Sequence, residues 1–138
     1  MDVKNKNKAF FDTNVLIYAL AQDDPRGVVA EQLLSAGGTF SVQVLNEFVS
    51  VARRKLHMSW KEVKEALEAF RILCDPPVPI TIHTHETALK LAERSNYGIY
   101  DALIAAAALE AACVVLYSED LQDGQVIDGK LTIRNPFK

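Results

Sequence analysis

Cysteine is scarce in this 138-residue chain. Its two residues, Cys74 and Cys113, lie far apart, in neither a Cys-x-x-Cys pair nor a metal-site spacing. That excludes a disulfide-stapled scaffold and a thiolate zinc site, and it points to a reduced compartment with buried thiols. Histidine is nearly as rare: His57 reads as a surface residue, and His83-x-His85 has strand-like ligand spacing but no third His or matching Cys to complete a zinc set. Long apolar runs are missing too. None approaches the roughly 20 residues that cross a bilayer, and the polar stretch Met1 to Lys8 is followed by no segment of signal-peptide length. The expectation is a cytoplasmic protein with no membrane partner. Excess positive charge is also absent, the formal net charge being −3, whereas nucleic-acid partners usually select a basic surface. Four acids gathered on a bound cation would leave the rest of the chain slightly positive, so net charge discriminates poorly here.

About half of the residues are apolar (49%), enough for one compact domain with a real core. Residues 1–8 are polar, lysine-rich and patternless, and read as a flexible lead-in; residues 9–138 read as a single domain. Phe10-Phe11 ends a short buried strand that delivers Asp12 into Thr13-Asn14, and Val15 to Leu20 then form an apolar helix. Asp24-Pro25 starts a second helix and Gly37-Gly38 ends it. Thr39-Phe40 is a very short strand, followed by a helix from Ser41 to about Leu56 with the apolar stripe Val44, Leu45, Phe48, Val51 and Ala52. Glu47 lies beside that stripe.

Ser59-Trp60-Lys61-Glu62 is a capping box opening a helix whose apolar face runs Val63, Ala66, Leu67, Phe70, Leu73. Pro79 to Ile82 reads as a strand, with Thr84 capping the next helix, which Asn96-Tyr97-Gly98 ends. From Asp101 to Leu109 the chain is apolar almost all the way round, as in a helix buried on most sides. Val114 to Tyr117 is a buried strand, with Ser118-Glu119-Asp120 at its end, and an Asp128-Gly129 turn joins two β-favouring runs into an edge hairpin. Strands alternating with helices imply a parallel α/β sheet.

The chemistry lies in where the acids fall. Asp12 and Asp120 follow the ends of strands, where open α/β sheets bind ligands. Asp101 stands in the first turn of a buried helix and Glu47 flanks a core stripe. Any one of them has a plain structural reading; Asp12 or Thr13 could simply cap a helix. Several carboxylates held together repel, and the usual compensation is a divalent cation. Oxygen-only ligation suits magnesium or manganese more than zinc. Arg53, Arg54 and Lys55 could hold flanking phosphates, since arginine matches phosphate bidentately, or could be a solvated helix end. Trp60, Tyr18 and Tyr97 could stack on unpaired bases or serve as partly buried packing. A receiver or phosphatase-like domain also carries an Asp after its first strand. It would want a second acid close by and a lysine after a late strand, and neither is present.

Four stretches together resemble the PIN-domain ribonucleases, and more narrowly the toxins of VapBC-type toxin–antitoxin modules. They are Phe-Phe-Asp-Thr-Asn-Val-Leu-Ile-Tyr-Ala from Phe10, Val-Leu-Asn-Glu-Phe from Val44, Tyr-Asp-Ala-Leu-Ile-Ala-Ala-Ala from Tyr100, and Leu-Tyr-Ser-Glu-Asp-Leu from Leu116. The resemblance implies a PIN-like three-layer α/β/α sandwich with a mainly parallel central sheet. It implies metal-binding and catalytic roles for Asp12, Glu47, Asp101 and Asp120, with Glu119 the competing candidate for the fourth acid, and secondary polar roles for Asn14 and Ser118. The implied activity is Mg2+- or Mn2+-dependent hydrolysis of RNA phosphodiester bonds, with a small antitoxin partner and a homodimeric assembly. The alternative is a catalytically silent PIN-like module that binds RNA or protein.

Overall fold

The computed structural model describes residues 8–138. All but one residue of the expected lead-in therefore lies outside the described residues. The exception, Lys8, is already tied to the sheet, its carbonyl accepting from Val114 N at 2.9 Å.

β1 (Ala9–Phe11) leads into α1 (Thr13–Ala19), α2 (Pro25–Ala36), α3 (Val42–Arg54), α4 (Trp60–Leu73), α5 (Ile82–Ser95) and α6 (Ile99–Glu110), followed by β2 (Val115–Tyr117), β3 (Val126–Ile127) and β4 (Leu131–Arg134). The strands form one sheet in the order β1-β2-β4-β3. β1, β2 and β4 run parallel and β3 returns antiparallel at the edge. With helices packed about this mostly parallel sheet, the architecture is the α/β/α fold with a mainly parallel sheet that the sequence suggested.

Register positions the functional end. Phe11 pairs with Tyr117 and Tyr117 with Arg134, so the chain leaves β1 and β2 side by side, at Asp12 and Ser118. Backbone bonds carry that alignment one residue further, Asp12 N to Tyr117 O at 3.0 Å and Ser118 N to Arg134 O at 3.0 Å. Beneath lie Phe10, Phe11, Leu116 and Ile133, all fully buried, together with the unbroken buried run Ala102 to Ala108 of α6. A helix buried on every side needs small residues where it meets several neighbours, and α6 supplies them as alanines.

The expected strand at Thr39-Phe40 is reduced to bridges. Thr39 pairs with Phe10 and Ser41 with Val78, both parallel, extending the sheet beyond β1 without a regular strand. The expected strand at Pro79 to Ile82 does not form. Thr81 caps α5 instead, its hydroxyl accepting from Thr84 N at 3.1 Å while the Thr84 hydroxyl accepts from Thr81 N at 3.1 Å. Thr84 is thus the third residue of the helix, not its cap, and it is buried with its hydroxyl donating to Glu110 at 2.8 Å. His83 and His85 consequently ride the exposed first turn of a helix, where an i, i+2 spacing turns them to different sides. Leu73, placed on the apolar face of α4, is half exposed at the end of that helix.

Candidate functional site

Asp12 does two things at once. As the N-cap of α1 its Oδ1 accepts from Thr13 N at 2.7 Å, and its Oδ2 accepts from the Ser118 hydroxyl at 2.6 Å. The hydroxyl of Ser118, itself fully buried, also accepts from Asp120 N and Leu121 N, each at 3.2 Å. One hydroxyl therefore ties the carboxylate ending β1 to the turn ending β2. The capping reading of Asp12 and the site reading are not exclusive, because the cap sits where the parallel strands end.

Asp12 is 4% exposed, and burial is the chief reason that its pKa is pushed up to about 6. The hydrogen bonds from Ser118 and Thr13 pull the other way, and the charges of Glu47 and Asp120 add to the rise. Asp101, half-buried, is also raised, first by burial and then by the charge of Asp120. Asp12 thus feels the charges of Glu47 and Asp120, and Asp101 that of Asp120. Among the described residues, none of the four is ion-paired.

The other acids are held by short polar side chains. Glu47 on α3 accepts from the Thr13 hydroxyl at 3.3 Å and from Gln43 Nε2, one turn earlier, at 3.0 Å. Asp120 accepts from Asn14 Nδ2 at 3.3 Å, and Asn14 Oδ1 accepts from Glu119 N at 3.3 Å. Two open recesses meet at Glu47. One, of about 400 Å³, is lined by Gln43, Asn46, Glu47, Ser50, Tyr100 and Asp101. The other runs along Thr13, Asn14, Glu47, Lys55, Glu119 and Asp120.

Among the described residues no three of the His, Cys, Asp and Glu side chains close into a ready-made metal cage; hydroxyl and amide side chains bond Asp12, Glu47 and Asp120 instead. In kind the donor set fits a hard divalent cation, being all oxygen, in negative excess and without paired cations. Glu119 is engaged elsewhere: its Oε1 accepts from the Tyr18 hydroxyl at 2.6 Å, and Arg26 lies 3.7 Å from its Oε2.

The basic end of α3 is divided. Arg53 donates to Met58 O at 2.8 Å and stacks 4.4 Å from the ring of the exposed Trp60, while Arg54 donates to Ser50 at 3.1 Å. Lys55 alone of the three lines the cleft. Tyr18 packs edge-on against Phe137, and Tyr97 hydrogen-bonds Gln125. Thr13 and Gln43 were not read from the sequence as supports of Glu47. The i, i+4 spacing of Gln43 and Glu47 was the available signal; nothing local announced Thr13, whose partner is 34 positions away.

The sequence matches the PIN domain family over residues 9–123. No curated protein matches it significantly. Among solved structures, a toxin–antitoxin complex from Klebsiella pneumoniae superposes with a TM-score of 0.71 at 22% identity, covering 95% of this chain and 99% of that one. VapC20 of Mycobacterium tuberculosis, a toxin that cleaves the sarcin–ricin loop, gives 0.64 at 21% identity, covering 82% and 90%. VapBC2 from Rickettsia felis, bound to a DNA fragment from its promoter, gives 0.64 at 19%, covering 92% and 97%.

Proposed function

The chain belongs to the PIN-domain family, and on that premise we propose that it is a divalent-metal-dependent endoribonuclease, the toxin of a VapBC-type toxin–antitoxin pair. The observation that carries the reading is the buried carboxylate of Asp12 at the end of parallel strands, beside the charges of Glu47 and Asp120, none of the three in an ion pair among the described residues. Similarity in fold to a sarcin–ricin-loop-cleaving toxin and to two toxin–antitoxin assemblies supports RNA as substrate and a small antitoxin as partner. A homodimer and a cytoplasmic setting complete the proposal; no described helix is long and apolar enough to cross a membrane.

Asp12, Glu47, Asp101 and Asp120 are the residues that would hold Mg2+ or Mn2+. Such an ion, once bound, polarises the phosphate and lowers the pKa of the attacking water. The chain's own work is positioning. Ser118 fixes the second oxygen of Asp12, Thr13 and Gln43 hold Glu47, and Asn14 holds Asp120. Lys55 gives the cleft a cation for the RNA backbone, with Arg53 and Arg54 beyond it for flanking phosphates.

The second reading, a catalytically silent PIN-like module binding RNA or protein, draws on the acids standing apart rather than closing into a cage. One experiment separates the two. Purified protein should cleave single-stranded or loop RNA in Mg2+ or Mn2+, lose the activity in excess EDTA, and lose it in Asp12→Asn and Asp101→Asn. RNA bound but uncut under all conditions supports the silent module, and cleavage undiminished by EDTA removes the metal from the account.

A further inference from the structure

Two acids stand in succession at the end of β2, and the fold treats them differently. Asn14, near the start of α1, bonds Asp120. Tyr18, one turn further along α1, bonds Glu119 at 2.6 Å. Arg26 of α2 backs that contact, donating to the Tyr18 hydroxyl at 2.7 Å, lying 4.2 Å from the centre of its ring, and reaching Glu119 at 3.7 Å. Arg26 is itself anchored by a fork of bonds to Asp24, at 2.6 to 3.1 Å. Glu119 nonetheless lines the same recess as Asp120 and Glu47, so its carboxylate is within reach of the cleft once released.

We propose that Tyr18 and Arg26 are positioning residues that hold Glu119 aside, so that Asp120 alone of the two consecutive acids addresses the cation site. The inference rests on the metal-dependent reading above and adds to it a device for choosing between neighbouring carboxylates. Successive residues leaving a strand point in different directions. That alone does not silence a long, flexible glutamate, whereas a donated hydroxyl and a nearby guanidinium do. A freed Glu119 would bring a further negative charge to a cleft that must admit phosphate. It would also offer the cation a ligand that is not aligned with Asp12 and Glu47.

The test is a swap of dependence, read by calorimetric titration with Mn2+ and requiring no turnover. In the otherwise unaltered protein, Glu119→Gln should leave the Kd for Mn2+ within about twofold. In the double variant Tyr18→Phe/Arg26→Gln, the released glutamate contributes to binding, so adding Glu119→Gln should weaken Mn2+ about fivefold or more, a coupling of the size that contacting side chains show. Phenylalanine keeps the ring that packs on Phe137, and Arg26 is exposed, so the double variant retains the core. RNA cleavage gives a second readout, slowed in the double variant and restored when Glu119→Gln is added. Equal effects of Glu119→Gln in both backgrounds, with Mn2+ binding intact, overturn the selector alone. Absence of Mn2+ binding to the unaltered protein overturns the selector together with the metal-dependent reading.

Discussion

A carboxylate that is raised by burial taxes the fold in a pH window that can be named. The pKa of Asp12 goes from 3.8 to about 6, so the unfolded chain releases this proton more readily than the folded one. The associated stability is fully present below about pH 4 and is lost as pH rises through about 6. A shift of this size corresponds to about 3 kcal/mol for so buried a group. Urea unfolding in EDTA at intervals from pH 4 to 7 should therefore show the wild type losing stability across that window relative to Asp12→Asn. The Asn variant will not simply gain the difference. The Ser118 hydroxyl already accepts two backbone N–H groups, so an amide facing it would present a third donor. That lowers the whole Asn curve without giving it the wild-type slope, and parallel curves would contradict the assignment. At this scale the sequence singled out Asp12 as a candidate but not what its surroundings do to it. Its position at a strand end was legible, and so was the mutual repulsion of carboxylates held together. Burial is the larger cause, and it depends on packing from distant segments that no local pattern carries.

Elements place these residues, and one tight placement is where α2 hands over to the sheet. A Cβ on Gly38 would meet the carbonyl oxygen of Ala9 at 2.7 Å and the ring of Phe11 at 2.7 Å. Neither the carbonyl of a paired strand nor a fully buried ring can step aside cheaply. Gly38→Ala should cost about 1–3 kcal/mol, the usual range for overpacking, measured as a drop in denaturation midpoint; an unchanged midpoint would mean that β1 shifts freely. Gly37-Gly38 had been legible only as a helix stop. Local signals that close on themselves were read well. The Ser59 and Glu62 capping box is present in full, and the Asp128-Gly129 hairpin turns with both residues at positive φ, 53° and 65°. The misreading at Pro79 to Ile82 came from two local signals in competition. β-Branched residues favour a strand, while Thr81 and Thr84 at capping-box spacing favour a helix start. The reciprocal hydroxyl bonds won, and the sheet reaches only the residue before this stretch, where Val78 bridges Ser41.

Across the whole molecule the acids become a site only through topology. Asp12 and Asp120 are brought together because β1 and β2, separated by six helices, are neighbours in parallel. Their sequence positions hint at this only through the strand-helix alternation and the family-like motifs. On the proposed reading, the same topology makes cation binding a property of the folded state, since the unfolded chain scatters the four carboxylates. A ligand bound only by the native form stabilises it by mass action, about 2.7 kcal/mol at a hundredfold excess over Kd. For a chain of this size that translates into a rise in Tm on the order of 10 °C. Thermal unfolding in Mn2+ against EDTA should show such a rise for the wild type. Asp12→Asn and Asp120→Asn should lose most of it. Lys55→Ala, at the margin of the cleft, should keep it. A rise retained in both acid variants would locate the ion elsewhere on the surface. No rise in the wild type would mean that the four acids do not bind the cation on which the proposed hydrolysis depends.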